Sequence, residues 1–350
     1  MSSIQSICVL RLSAIGDVCH AVAVVQAIQA YYPEAKITWI IGRVEAALLK
    51  QLPNVRFVVF DKQQGFSAYR QLRKQLPEQF DVLLHMQVAL RANIAAACVR
   101  ATRKIGFPKH LSKEGHGLVV NERVRALPQP HVLDGFAAFA HAIGVPEFTP
   151  AWNIPLQPEV LDWLDVFCSE HALEQQKILV ISPSASNAER NWLPERYAQV
   201  ADYAVSKGFA VLLCGGPADH EKALGLAIEQ QSVSPLINVI GQTSLLQLLA
   251  LLKRADIVVS PDSGPAHMAT TQGTPVIGLY AHSNPARTGP YNSLQWVVEV
   301  YHQHLLRQKG SPPHRWGVRV KGADLMADIS VESVVQMFDA VCSQASLIND

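Results

Sequence analysis

The amino-acid sequence predicts an α/β protein made of two doubly wound domains. Short apolar runs alternate with helical segments at the spacing of βαβ units. The alternation occurs twice, on either side of a proline-punctuated stretch from Pro146 to Pro158. At 350 residues and 49% hydrophobic composition, the chain also holds enough apolar material for two cores rather than one.

In the first series the runs Ile7–Leu12, Ile37–Ile41, Val55–Phe60 and Val82–His85 read as strands. The segments that follow them, Val18–Tyr31, Glu45–Leu52, Phe66–Leu76 and Leu90–Ala101, read as helices. The second series has strands at Ile178–Ser182, Ala210–Cys214, Ile237–Ile240, Ile257–Ser260 and Val276–Leu279, again with helical segments between them. Gln303–Met326 is basic and rich in glycine and proline and reads as a loop; a closing helix follows near Val331–Cys342. The expected domains are residues 1–150 and 151–330, with a terminal helix in 331–350 that has the option of packing back on the first domain. Open α/β sheets bind ligands at the carboxyl ends of their strands, so the expected site is a crevice faced by both domains.

Composition narrows the classes. No apolar run approaches the ~20 residues that cross a bilayer, and Met1 to Ser6 lacks the charged start and cleavage site of a signal peptide, so a cytoplasmic location is expected. Six scattered cysteines without a C-x-x-C pair read as buried free thiols. There is no H-E-x-x-H, no D-x-D between strands and no G-x-S-x-G; His302, His304 and His314 read as surface residues of a basic loop. No metal, cofactor or nucleic-acid partner is expected. The net charge of +1 is unevenly spread: residues 1–150 carry 17 Lys and Arg against 10 Asp and Glu, and the remainder 13 against 19. An anionic partner of the first half fits this, as does a plain solvated face.

Four strand-to-helix turns carry candidate chemistry. Arg11-Leu12-Ser13-Ala14-Ile15-Gly16-Asp17 leaves the first strand; Gly16 frees the backbone, and Asp17 is either a helix N-cap, the commoner role at such a position, or a catalytic carboxylate. Pro183 to Trp192 offers Ser184, Ser186 and Arg190, hydroxyls and a guanidinium suited to a diphosphate, or simply a polar turn. Glu221, after Cys214-Gly215-Gly216, suits ribose hydroxyls or the dipole of its own helix. Asp262-Ser263-Gly264-Pro265-Ala266-His267 is the sharpest segment: a turn with proline entering the helix directs amides at the ligand side, with His267 one turn in as a donor or as a core histidine.

In this order and spacing these segments resemble the glycosyltransferase family that contains the ADP-heptose:lipopolysaccharide heptosyltransferases, glycosyltransferase family 9, over nearly the whole chain. The resemblance implies a GT-B fold of two Rossmann-like domains, acceptor on the first and ADP-heptose on the second, with metal-independent inverting transfer to the inner core of lipopolysaccharide. It places Asp17 on the catalytic aspartate, Ser184, Ser186 and Arg190 on the diphosphate turn and Glu221 on the ribose. It further places Thr243 beside adenine, and Asp262, Ser263, Gly264 and His267 on the diphosphate and sugar. Arg190 stands where many relatives carry lysine, which keeps the charge and changes the hydrogen-bond geometry. Gly16, Arg103 and Lys104 are expected on the acceptor side, with Arg70, Arg73, Lys74, Arg100, Lys109 and Lys113 as further cations for an acidic, lipid-anchored acceptor met at the inner face of the cytoplasmic membrane. The rival readings are a nucleotide-sugar epimerase or a transferase with another donor, and a non-catalytic ADP-binding relative. The presence of both Asp17 and the His267 segment speaks for catalysis.

Overall fold

The computed structural model describes residues 4–312 and 315–346, so His314 lies outside the described residues. The chain divides into two compact units, Met1–Pro155 and Leu156–Asp350.

The first unit runs β1 (Ser6–Leu10), α1 (Ile15–Tyr31), β2 (Lys36–Gly42), α2 (Arg43–Leu49), β3 (Val55–Phe60), α3 (Phe66–Gln75), β4 (Gln79–His85), α4 (Leu90–Cys98), β5 (Arg100–Gly106), β6 (Glu122–Arg123) and α5 (Val132–Ala142). Its six strands pair in parallel in the order β3-β2-β1-β4-β5-β6. Helices cover both faces of a parallel sheet, so its inner strands need continuous apolar runs. Ile7, Cys8, Val9 and Leu10 of β1 are all fully buried. The segment leading out of the unit is tied to α1: the Trp152 indole N–H donates to Cys19 O at 2.8 Å, and Gln26 Nε2 to Asn153 O at 2.6 Å.

One expectation for this unit fails. The helix predicted over Leu90–Ala101 stops at Cys98, and residues 100–106 form β5 instead. The cations of Arg-Ala-Thr-Arg-Lys-Ile-Gly hide the strand from a hydropathy reading, but pairing with β4 places Ile105 beside Leu84 in the core.

The second unit runs α6 (Pro158–Glu170), β7 (Lys177–Ile181), α7 (Pro194–Ser206), β8 (Phe209–Leu213), α8 (Asp219–Gln231), β9 (Ile237–Asn238), α9 (Leu245–Arg254), β10 (Ile257–Pro261), α10 (Gly264–Gln272), β11 (Val276–Tyr280), α11 (Pro285–Thr288), β12 (Val297–Glu299), α12 (Tyr301–Lys309) and α13 (Val331–Gln344). The sheet order is β12-β11-β10-β7-β8-β9. Numbered within its own unit, each sheet therefore reads 3-2-1-4-5-6, and the order reverses between β1 and β4 in one and between β7 and β10 in the other.

The stretch read as a loop over Gln303–Met326 is helical in its first third. Helix α12 buries Tyr301 and Leu305 against Val320, a three-residue cluster too short in sequence to give a periodic signal. The buried face of α13, Val334, Phe338, Val341 and Cys342, is filled within its own unit. The Phe338 ring packs edge-on to Phe209 at 5.0 Å, and Tyr203 Oη donates to Asp339 Oδ2 at 2.8 Å. Burial of a side chain such as Phe338 stabilises by about 1.5–3 kcal/mol. All six cysteines are free thiols, five of them buried. Among the described residues no helix is long and apolar enough to cross a membrane.

Candidate active site

In a doubly wound sheet, the loops that leave the two strands flanking the order reversal splay apart and expose backbone and side chains at the carboxyl edge. In the first unit these are the loops after β1 and β4. Helix α1 begins at Ile15, three residues before the predicted start, so Ala14 is its N-cap and Asp17 its third residue rather than the cap. Gly16 is buried in the first turn, and the Ser13–Ala14 peptide is cis. Asp17 Oδ2 accepts the Ala14 N–H at 3.4 Å, and alanine has no acceptor to return, so only half of a capping box exists. The same oxygen is ion-paired with the Arg11 guanidinium.

Arg11 in turn joins the two loops. Its Nη1 donates to Met86 O at 2.6 Å, and its guanidinium lies 5.1 Å from the centre of the Phe136 ring. Gln87 Oε1 accepts the Leu12 N–H at 2.8 Å. Arg11 is 12% exposed and Asp17 33%: the cation is enclosed, and the carboxylate keeps a face open to solvent. Gln87 and Glu45 are neighbours that the sequence reading missed. Glu45, in the first turn of α2, is buried with its carboxylate where a side chain on Gly42 would have to go, and burial raises its carboxyl above the ordinary range.

The predicted acceptor cations fall into two groups. Arg103 and Lys104 lie within β5 and already have protein partners. Arg103 makes two 2.8 Å hydrogen bonds to Glu122 and one of 3.0 Å to Ala142 O, and Lys104 Nζ donates to Ala96 O at 3.3 Å. Arg70, Arg73 and Lys74 on α3, Arg100 at the start of β5, and Lys109 and Lys113 after β5 are exposed. The Lys109–Lys113 loop is held from below by Asn93. Its Nδ2 donates to Glu114 O at 2.8 Å, and its Oδ1 accepts from His85 Nε2 at 2.8 Å and His116 Nδ1 at 3.1 Å. His116 Nε2 accepts the Phe107 N–H at 3.0 Å, which fixes the proton on Nδ1. Burial pushes the His85 imidazole down to about 3 and that of His116 down to about 4, so both are neutral at physiological pH.

In the second unit the reversal lies between the turns after β7 and β10, and they carry most of the predicted donor residues. Ser263 is the N-cap of α10 and Gly264 its first residue, but the Ser263 hydroxyl bonds Ser260 Oγ at 2.8 Å instead of capping the helix. The first amides of α10 therefore have no side-chain partner, the arrangement that holds anions at helix starts. Arg190 Nη1 sits 3.3 Å from Asp262 Oδ2 and donates to Asp262 O at 3.2 Å. Ser283 Oγ donates to Asp262 Oδ2 at 2.6 Å, and His267 Nε2 stands 4.0 Å from Asp262 Oδ1. Ser184 is buried and Ser186 exposed.

The Oγ atoms of Ser182 and Ser184 and Thr243 Oγ1 are buried without a protein hydrogen-bond partner. Each such hydroxyl costs roughly 1–3 kcal/mol when nothing satisfies it. Nε2 of His282, which holds Val320 O through Nδ1 at 3.2 Å, is in the same condition. Glu221 turns back so that Oε2 accepts the Gly216 N–H at 2.7 Å; a Cβ on Gly216 would lie 2.7 Å from Oε1, which is why glycine stands there. Thr243 borders a cavity of about 420 Å³ walled by Trp163 and Phe167, whose rings stack at 5.3 Å. Ser182, His282 and Ser283 were missed; their only sequence signal is their place at the ends of predicted strands. Among the described residues no group of three or more His, Cys, Asp or Glu side chains converges.

Comparison with known proteins matches residues 69–312 to the model of glycosyltransferase family 9 (heptosyltransferase). The chain is 47% identical to the lipopolysaccharide core heptosyltransferase OpsX of Haemophilus influenzae, over 95% of either protein. Among solved structures, a family 9 glycosyltransferase from Veillonella parvula superposes with a TM-score of 0.81 at 22% identity, covering 98% of this chain and 99% of that one. Escherichia coli heptosyltransferase WaaC with ADP superposes with a TM-score of 0.75 at 16% identity, covering 96% of this chain and 100% of that one. At those identities the structures speak for the fold, which is that of the GT-B glycosyltransferases. The family match over most of the chain and the 47% identity along nearly all of it speak for kinship: this chain belongs to glycosyltransferase family 9, the heptosyltransferases.

Proposed function

We propose that this chain transfers a heptose from ADP-heptose to the inner core of lipopolysaccharide, with inversion at the anomeric carbon. What supports the donor side most is the pair of buried Ser182 and Ser184 hydroxyls without protein partners, set with the uncapped amides at the start of α10 and the Arg190–Asp262 pair. A diphosphate is rich in acceptor oxygens and carries charge, and it would satisfy these donors together. Thr243 and the cavity beside it suit an adenine ring, and Glu221 Oε1 the ribose. A relative of the same fold, WaaC, is solved with ADP.

Transfer then follows from the residues at the two reversals. Asp17 takes the proton of the acceptor hydroxyl as that oxygen bonds to the anomeric carbon; the carbon–oxygen bond to the diphosphate breaks and ADP leaves with the electron pair. Arg190 and the α10 amides neutralise the charge that builds on the departing phosphate, an electrostatic role fixed before reaction begins. The acceptor is proposed to be an acidic, lipid-anchored saccharide met at the inner face of the membrane; the excess of cations in the first unit supports this. To test the proposal, the purified protein is incubated with ADP-heptose and a panel of truncated lipopolysaccharide cores. A mass gain of one heptose on one core is expected, and no gain on any core contradicts the reading.

A further inference from the structure

The sheet of the first unit is wholly parallel, so every loop that follows a strand emerges on the same edge as the Asp17 turn. Neighbouring strands lie about 4.8 Å apart, so the rim from β3 to β5 is roughly 19 Å wide, with β1 near its middle. Two side chains on this rim are apolar and almost fully in solvent. Phe66, which opens α3 after β3, is 89% exposed; Leu118, in the loop after β5, is 91% exposed and stays at this edge, where the neighbouring His116 accepts the Phe107 N–H just beyond β5. They flank the Asp17 turn on opposite sides, and Leu90, opening α4 after β4, is exposed between them.

The charge around these anchors is mostly positive. Lys62, Arg91, Lys109 and Lys113 are exposed on the same loops and helix starts. The carboxylates of those segments are engaged: Asp61 accepts the Gln63 N–H and pairs with Arg43, and Glu114 accepts the Leu90 N–H. Val233 of the second unit, 91% exposed, lacks this setting: its N–H is bonded to the Asp202 carboxylate. Single exposed apolar residues are ordinary, but two anchors in a basic rim around a catalytic turn are a different pattern.

We infer that the carboxyl-terminal rim of the first unit's sheet docks on an anionic lipid surface, with Phe66 and Leu118 entering the headgroup layer on either side of Asp17. The inference rests on the proposed reading of a lipid-anchored acceptor and names the surface that would meet it. Basic residues draw the rim to anionic headgroups and the two apolar side chains anchor it; docking of this kind is stable when both contribute. An acceptor lying in the same surface is then presented to Asp17 without first leaving the bilayer.

Co-sedimentation of the whole protein with vesicles tests this. Binding is expected to vesicles of phosphatidylethanolamine and phosphatidylglycerol, with little to phosphatidylcholine alone, and at least tenfold weakening in 0.5 M salt. The double variant Phe66→Ser/Leu118→Ser is expected to bind at least tenfold more weakly, Lys62→Gln and Arg91→Gln each about fivefold, and Val233→Ser as the wild type. Thermal midpoints check that each variant folds. Equal binding to neutral and anionic vesicles, or an unchanged double variant, overturns the inference; so does a wild-type dimer that the double variant converts to monomer, since a second copy would then cover the rim. Turnover on a delipidated, water-soluble core is measured in parallel. Its loss in the wild type breaks the proposed function, whereas vesicle binding breaks or upholds the docking surface.

Discussion

The two sheets share a strand order but not the chemistry at its reversal. In the first unit the loops after β1 and β4 present one carboxylate, Asp17, held by Arg11 and the Ala14 N–H, while Met86 O binds the Arg11 guanidinium and Gln87 the Leu12 N–H. In the second unit Arg190 after β7, His267 on α10 and Ser283 after β11 surround Asp262, and the hydroxyls of Ser182 and Ser184 are left buried and unsatisfied. In the first arrangement a single buried donor, Arg11 Nε, is left over, and the proposed role of its carboxylate is that of a base. The second leaves several hydroxyls over, and the proposed ligand for them is an anionic diphosphate. A common topology thus places two loops side by side, and on the proposed reading a handful of side chains on them decides whether the place takes a proton or binds a diphosphate.

The largest effect expected from breaking this division is at Asp17. Asp17→Asn should lower kcat by about 10²- to 10⁴-fold, the range for loss of a general base. The asparagine Oδ1 can still accept the Ala14 N–H, so the helix start is kept, and steady-state rates within twofold of wild type would return Asp17 to a structural role. Next in size is Arg190→Ala, expected to raise the KM for ADP-heptose by about 10- to 100-fold, as loss of a charge-assisted contact implies. Arg190→Lys should fall between the two because the charge remains. A KM unchanged in both would show that Arg190 serves Asp262 and not the donor.

Arg11 sharpens the contrast from the other side. It touches Asp17, Met86 O and Phe136 and is nearly enclosed, so its role is to position the carboxylate. Arg11→Met is expected to lower kcat by about tenfold with an unchanged donor KM, from loss of the charged hydrogen bonds, and Arg11→Lys to recover part of it. A fall in donor affinity instead would mean that the two reversals are not independent.

Much of this was legible in the sequence, for identifiable reasons. Buried parallel strands leave unbroken apolar runs such as Ile37–Ile41 and Val276–Leu279, and glycine and proline mark the turns that carry Asp262 to His267. What escaped depends on pairing across distance. The strand Arg100–Gly106 is cationic along its length and is made a strand by β4; Gly106-Phe107-Pro108 was its one available signal. Helix α12 needs Val320, fifteen residues after Leu305, to bury its face. Asp17 moved from N-cap to third residue because α1 starts at Ile15, and helix ends are the part of a helix that sequence fixes least. Charge in the sequence likewise says nothing of the Glu122 and Ala142 contacts that Arg103 makes.

A smaller effect distinguishes the first unit by pH. His85 and His116 are held neutral by burial, with imidazoles near 3 and 4, while in the unfolded chain they protonate around 6.5. Between pH 6.5 and 5 the unfolded state therefore binds protons that the folded state refuses, so stability is full above 6.5 and falls as the pH drops through this window. The thermal midpoint is expected to fall by about 5 °C between pH 6.5 and 5. A flat profile measured by calorimetry would show that the two imidazoles do take up protons in the fold.

On the proposed mechanism, donor affinity belongs to the second reversal and proton abstraction to the first. Titration calorimetry of ADP against the wild type, Asp17→Asn and Arg190→Ala tests it most directly. The expected Kd for Asp17→Asn lies within twofold of wild type, alongside its lost turnover, and that for Arg190→Ala is weaker by about tenfold or more. An Asp17→Asn protein that loses ADP as fully as Arg190→Ala, or an Arg190→Ala protein that binds ADP as the wild type does, would contradict it.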